Sequence, residues 1–272
     1  MLIDTHCHIN MIVKKEFDTP LNTDNFLQAK KIISQANHAN VKQIINVGTS
    51  LIESKNCIEL ACHNECVYAT VGLHPNDCTP EWRQDIKELK TLIKEKEKNK
   101  IVGIGEVGLD KHYPNYNLAR QQDALRTQID LALENNLALV IHTRDAYDET
   151  LKSLEEYKND IDRGIIHCFS EDLTFAHYVI DWGFSIGIGG TITYPKNKKL
   201  REVVQAVDLE NIVLETDAPF LPPQSLRGKT NYPANIPIIA QYIADLKNES
   251  LETVAQKTTH NAQRIFALKE KF

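Results

Sequence analysis

The sequence predicts an α/β fold in which eight parallel strands, each with its following connection, close into a single (β/α)8 TIM barrel. Three observations lead there. Short β-branched runs alternate with longer amphipathic stretches from one end of the chain to the other. Eight such runs are nearly continuous in apolar residues, as strands covered on both faces must be, whereas an open doubly wound sheet more often stops at about five or six. No Gly/Ser-rich linker, low-complexity segment or internal repeat interrupts the alternation. A length of 272 residues suits one barrel, so residues 1–272 are read as one domain, with a helical tail at about 251–268.

The expected strands are Leu2–His6, Gln43–Gly48, Val67–Gly72 and Ile101–Glu106, then Leu137–His142, Gly164–His167, Phe184–Gly187 and Ile212–Glu215. Helical periodicity covers Asp24–Asn40, Glu81–Lys98, Leu118–Asn135, Asp145–Lys158 and Asn235–Leu246. The alternating Lys and Glu of residues 94–100 read as a solvated helix end rather than a binding patch.

Composition bounds the function. With 42% hydrophobic and 25% charged residues the chain is that of a globular protein. A formal net charge of −6 argues against a protein that coats duplex nucleic acid through a broad basic field, so any nucleic-acid contact must be local. The N-terminus carries no basic and apolar leader pattern, and no apolar run is long enough to span a bilayer; a cytoplasmic location without membrane contact is expected. The six cysteines are unevenly spread and read as thiols rather than a disulfide framework. Cys62, His63 and Cys66 lack a second ligand pair at zinc-finger spacing.

Active sites on this fold sit at the C-terminal ends of the strands, and there the ligand-type residues accumulate. Strand one ends in His6-Cys7-His8, strand three in His74, strand four in Glu106, strand five in His142 and strand six in His167, while Asp217 follows strand eight. Five of the ten histidines thus close a strand. In an extended strand His6 and His8 share a face, with Asp4 one step deeper as a candidate to steady an imidazole from behind. Glu106, flanked by Gly105 and Gly108, has two oxygens with which to bridge two cations. His142 and His167 end neighbouring strands about 4.8 Å apart and can share one ion. Asp217 lies across barrel closure from the His6 strand, where it can reach the same ion or take a proton from water. Each of these residues alone has a plain structural explanation; their shared position in the βα pattern carries the reading. His74, Arg144, Arg227 and Lys229, on loops around the same mouth, are expected to bind the phosphate of a substrate. His38, His63, His112, His177 and His260 fall outside this pattern and read as structural.

The blocks Ile3-Asp4-Thr5-His6-Cys7-His8, Gly72-Leu73-His74-Pro75, Gly105-Glu106-Val107-Gly108-Leu109-Asp110, His142-Thr143-Arg144-Asp145-Ala146, His167-Cys168-Phe169-Ser170 and Glu215-Thr216-Asp217-Ala218-Pro219 together resemble the TatD family. The resemblance spans nearly the whole chain, in the family's order. It implies a barrel of the metal-dependent hydrolase type and a deoxyribonuclease, often an exonuclease, dependent on two divalent metal ions (Zn, Mn or Mg). It further implies that His6, His8 and Asp217 hold one metal, that His142 and His167 hold the other, and that Glu106 lies between them. Asp217 and Glu106 are then the catalytic carboxylates, with Asp4 and Glu215 behind the ligands. DNA is the expected substrate, with no obligatory protein partner and a monomeric chain. Lys111 departs from the family, which often places an aromatic residue there. Two other functions fit the same residues: hydrolysis of small amides or lactones, and non-catalytic binding of a phosphorylated ligand.

Overall fold

Runs such as Ala138-Leu139-Val140-Ile141 are apolar on both faces, and such a strand persists only where both faces are covered. In the computed structural model, which describes residues 1–14 and 16–268, that cover is a barrel lumen on one side and helices on the other. The strands are β1 (Leu2–Cys7), β2 (Val41–Val47), β3 (Val67–Val71) and β4 (Ile101–Asp110). They continue as β5 (Ala138–Arg144), β6 (Gly164–Ile166), β7 (Phe184–Ile188) and β8 (Ile212–Leu214). All pair in parallel in chain order, β1 through β8. Closure between β8 and β1 is made by a bridge from Cys7 to Ala218, by Thr5 Oγ1 donating to the Leu214 carbonyl at 3.0 Å, and by Thr216 Oγ1 donating to Asp4 Oδ2 at 2.6 Å.

The helices are α1 (Ile9–Ile12), α2 (Thr23–His38), α3 (Leu51–His63), α4 (Trp82–Ile93) and α5 (Leu118–Glu134). After them come α6 (Tyr147–Glu155), α7 (Leu173–Asp181), α8 (Lys198–Ala206), α9 (Ile236–Lys247) and α10 (Leu251–Phe266). Asn22, Ser50, Asn117, Asp172 and Ser250 cap helix N-termini through their side chains. The sequence did not announce α3, α7 or α8. In α3 the buried face includes the polar residues Glu53, Ser54 and Asn56, which blurs the apolar stripe by which helices are read. The helix expected to reach Lys98 ends at Ile93, and turns follow.

Alternation along the strands sorts the core. Ile45 and Val47, Ala138 and Val140, Ile165 and Val213 form one cluster with Ala262, Ile265 and Phe266 of α10, while their strand neighbours Ile44, Leu139, Ile141, Ile166, Ile212 and Leu214 pack in the larger cluster with the outer helices. His142, His167 and Glu215 continue the parity of the first set. In β1 and β4 simple alternation fails: the pairing register shifts between Asp4 and Cys7 and between Ile104 and Val107. Those irregularities bracket His6 and Glu106, so they re-aim the residues at which the strands converge.

The segment after β1 is tied to α3 by a buried ion pair. Glu53 Oε1 accepts from Lys14 Nζ at 2.5 Å and from the Asp18 amide at 2.7 Å, while Oε2 accepts from Asn10 at 2.8 Å and Asn56 at 3.1 Å. Both charged side chains are buried, at 4% and 1% exposure. Burial would raise the Glu53 carboxyl, but the hydrogen bonds from Lys14, Asn10 and Asn56 outweigh it and hold it below its ordinary value. A depressed carboxyl stabilises the fold above its unfolded-state pKa, and that stability is lost as pH falls through the folded value. Glu53→Gln is therefore expected to cost about 3–5 kcal/mol at neutral pH by leaving Lys14 buried without its counter-charge. The deficit against wild type should shrink in acid, as urea denaturation at neutral and acidic pH would show.

Candidate metal centre

Glu106 is 5% exposed, and a buried carboxylate is costly unless charges or hydrogen bonds compensate it. Imidazoles from neighbouring strands supply that compensation. Oε1 lies 2.8 Å from His142 Nδ1, 3.4 Å from His167 Nε2 and 3.7 Å from His74 Nε2. Oε2 lies 3.4 Å from His6 Nε2 and 3.8 Å from His8 Nε2. Asp217 Oδ1 completes the ring at 3.5 Å from His8 Nε2 and 3.8 Å from His6 Nε2. Burial tends to raise Glu106, yet the charges of His167 and His74 and the hydrogen bonds from His142 and His167 hold its carboxyl well below the ordinary range. Asp217 is likewise held down, against burial, by His8, His167 and His6.

His6 Nε2 and His8 Nε2 face each other across 3.1 Å, and His6 Nδ1 is buried with no hydrogen-bond partner among the described residues. Ligand atoms about 2.1 Å from a tetrahedral ion stand roughly 3.4 Å apart, which is the spacing of this ring. His6, His8 and Glu106 form one group able to hold a cation; Glu106, His142 and His167 form a second; His167, Cys168 and Asp217 form a third that overlaps them. Imidazole and carboxylate donors of this kind suit divalent ions such as zinc or manganese. The donor set fits the metal ions inferred from the sequence.

Acceptors behind the rings orient them. His8 Nδ1 lies 2.8 Å from the Val47 carbonyl. His167 Nδ1 lies 3.2 Å from Glu215 Oε1, an oxygen that also accepts the Cys168 amide at 2.6 Å; Glu215 is fully buried, and a Cβ at Gly187 would collide with it. His142 Nε2 lies 3.2 Å from Asp110 Oδ2. Asp110 was not singled out in the sequence. It is 1% exposed and also accepts from Asn76 Nδ2 at 2.9 Å and the His112 amide at 2.8 Å. Its signal was an acid four residues after Glu106 in an extended run, hidden because β4 was expected to end at Glu106 and instead continues to Asp110.

Two expectations need correction. Asp4 touches no imidazole: its carboxylate accepts the Thr216 amide at 3.0 Å, the Thr216 hydroxyl and, at 3.3 Å, the His6 backbone amide. Burial pushes that carboxyl up to about 8 against these bonds. Asp4 therefore fastens β1 to the end of β8 and reaches His6 only through the main chain. Arg227 and Lys229 are exposed and do not line the cavity above the ring; the Arg227 guanidinium lies 5.1 Å from the Tyr194 ring instead. The loop's course, which local sequence does not fix, carries both away. Lys111 pairs with Glu149 at 2.6 Å, and His112, read as structural, faces Asp145 at 2.9 Å near the rim.

The cavity encloses about 720 Å³, within the range of ligand sites. Glu106, His8, His142, His167 and Asp217 line it together with His74 and Arg144, and the aromatic side chains of Phe17, Tyr113 and Phe220 stand exposed around it. Burial and the neighbouring His142 push the His74 imidazole down to about 3.

A parallel barrel that gathers imidazoles and carboxylates where its strands converge has the donor set of a metal-dependent hydrolase. The chain belongs to the TatD family: residues 3–267 match the family described as TatD related DNase. Among its relatives is the Bacillus subtilis protein named uncharacterized metal-dependent hydrolase YabD, 34% identical over 98% of this chain and 100% of the relative. Another is the 3'-5' ssDNA/RNA exonuclease TatD of Pantoea ananatis, 34% identical over 88% of this chain and 93% of that protein. The crystal structure of YjjV, a TatD homologue from Escherichia coli K12, superposes with a TM-score of 0.88 at 30% identity, covering 98% of each chain.

Asp110→Ala removes the oxygen that orients His142. It is expected to weaken binding of divalent cation about 10–100-fold, the usual effect of removing a partner behind a ligand, with the fold retained. Competition against a chromophoric chelator measures the affinity and circular dichroism the fold; unchanged affinity would leave Asp110 only a loop-supporting role.

Proposed function

We propose that this protein is a deoxyribonuclease of exonuclease character that uses two divalent cations to hydrolyse phosphodiester bonds. The observation that carries the reading is the ring of four imidazoles and two carboxylates beneath a cavity whose wall holds Arg144 and His74. The name of the Pantoea ananatis relative supports nucleic acid as the substrate class. His6, His8 and Asp217 would hold one cation and His142 and His167 the other, with Glu106 reaching both. When bound, the cations, whether zinc, manganese or magnesium, polarise the phosphate and lower the pKa of water.

The chain's own groups divide the remaining work. Asp217 is the most accessible carboxylate of the ring, its side chain 14% exposed against 6% for Glu106, 1% for Asp110 and 0% for Glu215. As the most accessible carboxylate, it receives the proton of the attacking water. The water oxygen bonds to phosphorus, the bond from phosphorus to the ester oxygen breaks, and that oxygen leaves with a proton from solvent. Arg144, at the cavity wall, offers a guanidinium to the phosphate oxygens.

The test is a metal-supplementation series on single-stranded and duplex DNA with label at either end. Cleavage should require added magnesium, manganese or zinc, and chelator should abolish it. Cation binding without cleavage would defeat the nuclease reading, and turnover of a lactone or amide in its place would assign the small-molecule alternative. Asp217→Asn, loaded with metal and checked for occupancy by elemental analysis, is expected to lose at least about 10²-fold in single-turnover rate. Near-wild-type cleavage at full occupancy would remove Asp217 from proton transfer.

A further inference from the structure

Four imidazoles, those of His8, His74, His142 and His167, line the cavity, and their surroundings do not treat them alike. A carbonyl oxygen can only accept, so the Val47 carbonyl 2.8 Å from His8 Nδ1 places that ring's proton on Nδ1 and leaves Nε2 a lone pair aimed at the ring of ligands. The Glu215 carboxylate, 3.2 Å from His167 Nδ1 but outside hydrogen-bond geometry, favours the same arrangement by its charge, with Nε2 again turned toward Glu106. His142 lies between two carboxylates, Glu106 at Nδ1 and Asp110 at Nε2.

His74 is reversed. Its Nδ1 accepts the backbone amide of Asn76 at 3.1 Å, and an amide can only donate. The proton of the neutral ring therefore sits on Nε2. That nitrogen stands 3.7 Å from Glu106 Oε1, beyond hydrogen-bond reach, and has no other acceptor among the described residues. The local sequence enforces this state. His74 caps the short turn Pro75–Asp77; Pro75 has no amide hydrogen, so the Asn76 amide is the first one needing a partner. Proline also holds the residue before it extended, and His74 has ψ 145. The Asn76 side chain is fixed in turn by its 2.9 Å bond to Asp110.

His74, Asp110 and His142 present ligand atoms within 4.8 Å of one another, which by spacing alone invites a third cation site. A ring nitrogen that carries a proton cannot ligate, and moving the proton to Nδ1 would set it against the Asn76 amide. We propose that His74 is a hydrogen-bond donor of fixed tautomer, which gives its Nε2 hydrogen to an oxygen of the substrate phosphate above Glu106 and takes no part in holding metal. This assignment rests on the phosphoester reading for its ligand and on the Pro75–Asn76 geometry for its chemistry.

Heteronuclear NMR of nitrogen-labelled protein reads each tautomer, and cadmium loading reveals ligating nitrogens through cadmium–nitrogen coupling. His74 should be protonated at Nε2 and uncoupled to cadmium, with His8 and His167 protonated at Nδ1 and coupled. His74→Ala should keep its metal content, lose about 10²-fold in turnover as removal of a single positioned donor does, and bind inorganic phosphate more weakly by calorimetry. His74→Gln, which retains an N–H at a similar reach, should recover part of both. Cadmium coupling to His74, the opposite tautomer, metal loss on substitution, or phosphate affinity unchanged in His74→Ala would each overturn the assignment. If wild type cleaves no phosphodiester with any cation while the tautomers and phosphate binding behave as described, the nuclease reading fails and the donor assignment stands.

Discussion

The carboxylate of Glu106 is the constraint around which the rest of this structure is arranged. A buried anion is tolerated only where positive or proton-donating groups meet it, and no single element of this chain could supply enough of them. Instead β1, β5 and the segments that follow β3 and β6 each deliver an imidazole to within 3.8 Å of its two oxygens. That convergence requires the strands to be parallel, adjacent in chain order and curved into a ring, because only then do their ends approach one point. The register shifts flanking His6 and Glu106 belong to the same requirement, turning side chains that strict alternation would have aimed elsewhere.

Much of this was legible in the sequence because the relevant signals are local. Apolar β-branched runs mark strands wherever both faces are covered, and a histidine closing such a run is visible without knowledge of the fold. What could not be read depended on partners distant in the chain. Asp4 looked like a support for an imidazole because alternation puts it on the His6 face, but its partner, Thr216, lies 212 residues away and the strand between is irregular. Asp110 was passed over because strand length is decided by pairing with β5, which extends to Arg144 opposite Asp110. Helix α3 is hard to read because its buried face mixes the apolar Cys57, Ile58, Leu60 and Ala61 with the polar Glu53, Ser54 and Asn56, and Glu53 answers to Lys14 and Asn10. Arg227 and Lys229 carry the right chemistry, yet loop geometry takes them outside the cavity.

The ring of histidines also shows that residue type alone does not assign a role. His8 and His74 have the same side chain and comparable distances to Glu106, 3.8 and 3.7 Å. One leans on a carbonyl and the other on an amide, and that difference in main-chain partner decides which nitrogen can accept a cation and which can only donate. The information lies in Val47 and Pro75, residues with no reactive group of their own.

The seam between β1 and β8 bears on how the protein is made. Asp217 donates its amide to the His6 carbonyl at 2.9 Å, and the His8 amide donates to the Ala218 carbonyl at 2.8 Å, so the first and last strands meet at the site itself. On the ribosome β1 emerges first and then waits while about 210 further residues are added, roughly 10–40 s at the usual pace of synthesis. Through that interval its edge is open to other chains, a hazard that closed barrels otherwise abolish. Glu106, His142 and His167 have all been translated well before Asp217 exists, so the nascent chain already carries the imidazoles and Glu106 while the carboxylate that completes the ring is still missing.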